Sequence, residues 1–246
     1  TLQSNSARSR SAVASLTRQA PCHTRLFITH SPFTAEESME NQGTADVSGY
    51  KFIPLEQLLV ACEEAKTRGK TPLIVDSAAG NVDTFFSYRA CAVLDGKKMG
   101  LDKSMRKIPV PEIMEDARKK LVSALKYGYP FVVAMTTSVT DFATCFNDAS
   151  ATSLGLDTHD GQMYLPQALL QQGGQLLLEE KFLEGLFRKE DREGGVAYCR
   201  SPDTFQVILT TRFALEDFDE YLFGNTWGLP RPRENYAVIV IQEEAP

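Results

Sequence analysis

The chain carries a series of short, wholly apolar runs, separated by stretches whose apolar residues recur at three- and four-residue steps. Pro72-Leu73-Ile74-Val75, Phe131–Met135 and Tyr236–Ile241 are the strongest of these runs, Ala92-Val93-Leu94 is a weaker one, and Phe205–Thr211 alternates and is β-branched, a strong strand of another pattern. A strand that is apolar at nearly every position has no face left for water, so both of its faces must be covered. Leu55, Leu58, Leu59, Cys62 and Ala65 trace one face of a helix ending near Arg68-Gly69. Ile113, Ala117, Leu121, Val122 and Leu125 trace a second, from Pro111 to Tyr127, which Gly128 stops. A third, shorter helix is expected over Val82–Ala90. Such alternation predicts an α/β fold with a mostly parallel sheet covered by helices on both faces.

The connecting segments are less regular. Residues 136–163 read as loop and short helix. Leu165–Leu178 is apolar but broken by Gly173-Gly174 into two pieces, and Phe182, Leu183 and Phe187 continue as a short helix. Asp95-Gly96 closes the weak strand, and Glu190–Gly195 is a charged turn. Residues 1–50 are rich in Ser, Thr and Ala, with only Arg25–Ile28 strand-like. The expected organisation is a largely irregular arm or linker over 1–50 and an α/β domain over 51–246.

Charge narrows the partners. The net charge is −6, yet the first 35 residues hold Arg8, Arg10, Arg18 and Arg25 and no acid, which leaves about −10 on the rest. An acidic body argues against a nucleic-acid surface, since phosphate contacts need clustered Lys and Arg. The basic, Ser-rich start reads as a linker; part of an organellar transit peptide is the alternative with the same composition. No apolar run approaches bilayer-spanning length, so no membrane partner is expected. The five cysteines, Cys22, Cys62, Cys91, Cys145 and Cys199, form no C-x-x-C pair and fit reduced thiols in a cytoplasmic setting.

In a parallel α/β sheet, ligands bind beyond the carboxyl ends of the strands. The loop after the first strong strand is Asp76-Ser77-Ala78-Ala79-Gly80-Asn81. The strand Pro72–Asp76 leading into this loop resembles the fifth AAA+ module of dynein heavy chains, with its degenerate phosphate loop. Two further segments share the resemblance: Tyr127-Gly128-Tyr129-Pro130 before a strand, and Phe205-Gln206-Val207-Ile208-Leu209-Thr210-Thr211-Arg212. The three occur in the family's order over residues 71 to about 213. The chain also resembles the C-terminal part of IQ-motif and ankyrin-repeat-containing proteins, without an IQ motif or an ankyrin repeat of its own. The resemblance implies an AAA+/P-loop-like core in which Asp76, Ser77, Ala78, Ala79, Gly80, Asn81 and Thr84 are the vestigial phosphate-loop region and Thr210, Thr211 and Arg212 are sensor-like. It also implies a protein partner, cytoskeletal or axonemal, and a ciliary or flagellar setting.

The residue types of an active ATPase are missing. A phosphate loop needs glycines, a Lys for the terminal phosphates and a Ser or Thr for Mg²⁺. Gly80 is the loop's single glycine, no Lys lies between Lys70 and Lys97, and Asp76 brings a carboxylate where phosphate would sit. The strand Phe131–Met135 ends in Thr136-Thr137, with the nearest acid at Asp141, so metal-binding and water-orienting carboxylates are also missing. The expectation is a pseudo-ATPase without catalytic residues, metal or cofactor, serving as a structural or adaptor module. The alternative is a sensor that binds nucleotide without hydrolysis, with Asn81 or Thr84 donating at the helix N-terminus.

Other chemistry-bearing residues read more simply. Cys145, Cys199 and His159 include the types of a thiol nucleophile and base, but the two scattered cysteines read as small buried hydrophobes. Cys22-His23, with His30 and Asp76, supplies one closely spaced ligand pair where structural zinc sites use two. The acidic run Glu216–Glu220, with Tyr221, Leu222, Phe223 and Trp227 nearby, reads as a helix with one buried and one solvated face; the alternative, with the patch exposed, is a protein-binding surface.

Overall fold

A computed structural model describes residues 49–76, 81–149 and 162–242. The chain divides into two units, Thr1–Asn41 and Gln42–Pro246, and the described residues belong to the second. The arm expected over residues 1–50 lies outside them, apart from Gly49 and Tyr50.

Among the described residues, six strands form one sheet: β1 (Lys51–Ile53), β2 (Thr71–Val75), β3 (Ala92–Asp95), β4 (Phe131–Ala134), β5 (Val207–Thr211) and β6 (Tyr236–Ile241). Their order is β1-β6-β2-β5-β4-β3, and every neighbouring pair runs parallel. The α-helices described with them are α1 (Leu58–Thr67), α2 (Asn81–Ser87), α3 (Gly96–Ser104), α4 (Val110–Tyr127), α5 (Glu180–Leu186) and α6 (Phe218–Phe223).

The layers follow from the strand period of two. Ile74, Val132, Ile208 and Ile239 fall on one face and pack with Leu58, Ala61 and Cys62 of α1 and Val82 and Phe86 of α2. Leu73, Val75, Val133, Leu209 and Val238 fall on the other, against Met99 of α3, Met114 and Leu121 of α4, Leu186 of α5 and Phe218 of α6. All five residues of β2 are buried, as are all five of β5. The expected α/β fold, a parallel sheet with helices on both faces, is what the chain forms.

Gly128 ends α4 in a left-handed conformation at φ 71°, where the Tyr129 N–H reaches back to Ala124 O at 2.9 Å. The apolar 165–178 stretch forms two 3₁₀ pieces, Gln167–Leu170 and Gln172–Leu178. Gly173 and Gly174 are both left-handed inside the second piece, and a Cβ on Gly174 would lie 2.3 Å from Val207 Cγ2. The Gly173 N–H donates to Thr71 Oγ1 at 2.9 Å, and that hydroxyl donates to Leu170 O at 3.0 Å, so the buried threonine at the start of β2 is satisfied.

Two elements depart from the sequence expectation. Asp95-Gly96 does not simply close β3: the Asp95 carboxylate accepts from the Lys98 N–H at 2.8 Å and caps α3. With two glycines and little apolar residue, α3 has poor intrinsic propensity, but its buried Asp102 pairs with Lys98 and with Arg106. The other is β1, three residues at the sheet edge and too short to show a period.

Arg118 of α4 has no exposed side-chain surface. Its guanidinium donates to both oxygens of Glu115 at 2.7 Å, to Asp191 Oδ2 at 2.6 Å and to Leu186 O at 2.6 Å. Burial works against the charge, but Glu115 and Asp191 outweigh it and hold Arg118 above its ordinary pKa. Burial likewise pushes the Asp191 carboxyl up, while hydrogen bonds from Arg118 and the Arg188 N–H more than offset that and leave it below its ordinary value. A carboxyl depressed by folding stabilises the protein above its unfolded pKa and loses that contribution as pH falls through its folded value. Arg118→Ala is therefore expected to cost about 2–4 kcal/mol at neutral pH. Urea denaturation at a series of pH values checks this. The gap between wild type and variant should narrow as pH drops below the ordinary aspartate range.

Candidate functional site

The carboxyl ends of β2, β5 and β4 lie side by side, because β5 pairs with β2 on one edge and with β4 on the other. This juxtaposition brings residues distant in sequence to one place. The Asp76 N–H continues the ladder to Thr211 O at 3.0 Å. Its carboxylate, on a residue only 5% exposed, turns to the start of α2 and accepts from the Val82 N–H at 2.8 Å. The N-terminus of α2 thus receives an anionic group from within the chain, through a free backbone N–H of the first helical turn.

At the end of β5, Thr210 and Thr211 are buried. Thr211 Oγ1 donates to Thr136 O at 3.2 Å, and the Arg212 N–H donates to the same carbonyl at 2.8 Å. The Arg212 guanidinium pairs with Asp83 Oδ2 of α2 at 2.6 Å, and Thr210 Oγ1 stands 3.5 Å from Asp83 Oδ1. Thr210 and Arg212 therefore engage the helix that follows the loop. Asp83 is the member that sequence reasoning missed: a first-turn acid is common in any helix, and nothing along the chain pairs it with Arg212.

Thr136, just beyond β4, has φ 53°, a left-handed conformation that costs a β-branched residue energy. Its carbonyl takes the two donors from Thr211 and Arg212, and its buried hydroxyl has no partner among the described residues. The turn thus joins the ends of β4 and β5 at the cost of local strain. Asp141, the nearest acid after β4, does not enter the site. Its carboxylate accepts from Thr144 N–H at 2.8 Å and Thr144 Oγ1 at 2.6 Å.

Of the expected loop residues, Ser77, Ala78, Ala79 and Gly80 lie outside the described residues. Asn81 and Thr84 are both exposed. Asn81 lines a cleft of about 590 Å³ with Asp76, Glu56, Phe85, Leu55 and Gln242, at the carboxyl ends of β1, β2 and β6. Its described lining carries two carboxylates and no Lys or Arg, which disfavours a phosphate ligand.

A larger, open depression of about 1110 Å³ lies beside the Arg118 network, lined by residues that include Glu112, Glu115, Glu184, Arg188, Lys189 and Arg192. Its charges are of both signs, and Arg188 already donates to Gly185 O and Met163 O.

Cys22, His23, His30 and His159, considered for metal binding or thiol catalysis, lie outside the described residues. Among the described residues no group of three or more His, Cys, Asp or Glu is placed to hold a metal ion, and no helix is long and apolar enough to cross a membrane. In the acidic and aromatic run, Phe218 and Leu222 of α6 are buried, while Tyr221 is 47% and Trp227 41% exposed. Comparisons with protein families, curated proteins and solved structures find no match for this chain.

If the Asp76 carboxylate holds the start of α2, Asp76→Ala should destabilise the protein by about 1–2 kcal/mol, as loss of a helix cap does. Asp76→Asn, whose side-chain oxygen can still accept from Val82, should recover most of it. Arg212→Ala removes a partly exposed pair and should cost under about 1 kcal/mol. Equilibrium urea unfolding of the three variants checks this ordering, and an unchanged Asp76→Ala midpoint would refute the capping role.

Proposed function

We propose that the α/β unit is a catalytically inactive AAA+-like module, a pseudo-ATPase that serves as a structural or adaptor domain through protein binding. The observation that carries the reading is the Asp76 carboxylate at the N-terminus of α2, where an active phosphate loop receives its ligand's negative charge. Three further features support it. The strand leading into the loop lies centrally in the sheet, directly beside the strand that ends in Thr210-Thr211-Arg212. Arg212, the nearby cation at the strand end, is paired to Asp83 within the same chain. The strand β4 is followed by Thr136-Thr137 in place of metal-binding carboxylates.

Phosphoryl transfer depends on charge neutralisation and on positioning of the nucleophile. A site whose loop carries no lysine, and whose helix N-terminus holds a carboxylate, supplies neither. The resemblance to dynein modules suggests the partner class, a cytoskeletal or axonemal protein. The basic arm offers the complementary charge, because residues 1–35 carry four arginines and no acid, suited to an acidic microtubule surface.

Thermal unfolding with Mg²⁺ plus ATP, ADP or GTP at millimolar concentration tests the inactive reading. No shift in Tm is expected with any of them. Nucleotide present at a hundred times its Kd would add about 2.7 kcal/mol and, at about 2–4 °C per kcal/mol for a domain this size, raise Tm by roughly 5–11 °C. Such a rise would favour the sensor reading and overturn this one.

Co-sedimentation with microtubules at low salt tests the partner. The full chain is expected to pellet and a chain lacking residues 1–35 to stay in the supernatant. Equal behaviour of the two would remove the microtubule assignment.

A further inference from the structure

The described thiols fall into two groups. Cys62 is held inert: burial, and secondarily the charge of Glu63, push its pKa up to about 12. Burial also raises Cys91, whose sulfur donates to Phe86 O, and Cys199. Cys145 differs in what it touches. The exposed Lys103, in the last turn of α3, hydrogen-bonds through Nζ to Cys145 Sγ at 3.0 Å, and its ammonium lies 5.9 Å from the Phe146 ring centre. No ion pair among the described residues engages Lys103; the neighbouring Asp102 is taken by Lys98 and Arg106.

Both partners are fixed in place. The turn carrying Cys145 is held by the Asp141–Thr144 hydrogen bonds, by the Phe146 N–H to Asp141 O at 2.7 Å, and by the Phe142 and Ala143 N–H groups, which share Gly228 O at 2.9 Å. Helix α3 is anchored by the Asp95 cap and by Met99 in the core.

We propose that Cys145 and Lys103 form a peroxide-driven covalent link, a sulfenamide joining Sγ to Nζ. Hydrogen peroxide oxidises the thiol by two electrons to the sulfenic acid, releasing one water. The Lys103 amine, having lost a proton to solvent, attacks the sulfur. The S–N bond forms, the S–O bond breaks, and the oxygen departs as water with a proton from nitrogen. In total, thiol, ammonium and peroxide become the S–N link, two waters and one proton.

Geometry selects this outcome over its competitors. An amine already in contact with the sulfur reacts as an intramolecular nucleophile, with the advantage that fixed proximity confers. Cys145 is only 3% exposed, so bulky thiols in solution reach the sulfenic acid less readily than the adjacent amine does. The link would tie α3 to the turn after β4 and close a loop between residues 42 apart in sequence, which constrains the unfolded chain and raises Tm.

The test treats the full chain with hydrogen peroxide at mildly alkaline pH, blocks remaining thiols with iodoacetamide, and maps peptides by tandem mass spectrometry. The expected product is a Lys103–Cys145 linked peptide, lighter than its two parts by two hydrogen masses and released by dithiothreitol. It should be absent from Lys103→Arg, which keeps the charge at an exposed position and so preserves the fold, and from Cys145→Ser. Recovery of Cys145 as alkylated thiol, sulfinic acid or mixed disulfide with Lys103 unmodified would overturn the proposal. So would a linked species that persists in Lys103→Arg.

Discussion

Strand β2 is enclosed on both faces and both edges, with α1 and α2 on one side, α4 on the other, and β5 and β6 as its neighbours. An apolar strand in that position shields its backbone hydrogen bonds from water and requires each layer to be present before the others are stable. The buried polar groups at its ends show how closely the layers are coupled. At the start, the Thr71 hydroxyl bonds Leu170 and Gly173 of the two 3₁₀ pieces; at the finish, Asp76 continues the ladder into β5 and holds α2. Removing any one partner would leave a buried polar group without compensation.

That arrangement also shapes what the carboxyl end of the sheet can do. A helix N-terminus and a nearby arginine are the usual means by which an α/β sheet attracts phosphate. In this chain both are turned inward: Asp76 meets the helix and Asp83 meets Arg212. The cleft alongside carries Glu56 and Asp76. The electrostatics favour a structural junction over an anion site, and this connects the fold to the proposed adaptor role.

Much of the architecture was legible from the chain. The last strand, Tyr236–Ile241, and the long helix ended by Gly128 were visible with bounds within a residue, because apolar period and a glycine stop are strong local signals. Helix α3 was not, because its stability comes from a cap and a buried acid pair, with little apolar stripe. Edge strand β1 was too short to carry a pattern. In the candidate site, Asp76 and the Thr210–Arg212 end could be singled out from sequence, whereas Asp83 could not, since its pairing depends on β5 lying beside β2.

The sequence by itself determined the α/β fold class and the positions of the main strands and helices, and it shows that no lysine lies between Lys70 and Lys97, since these rest on local periodicity and residue type. Only the tertiary structure decided the strand order, the pairing of Arg212 with Asp83, the burial of Arg118 between Glu115 and Asp191, and the contact between Lys103 and Cys145. Local pattern reports which face of an element is buried, but not which distant element covers it. That choice is made by the packing of all layers at once, where side chains far apart in sequence meet at hydrogen-bonding distance.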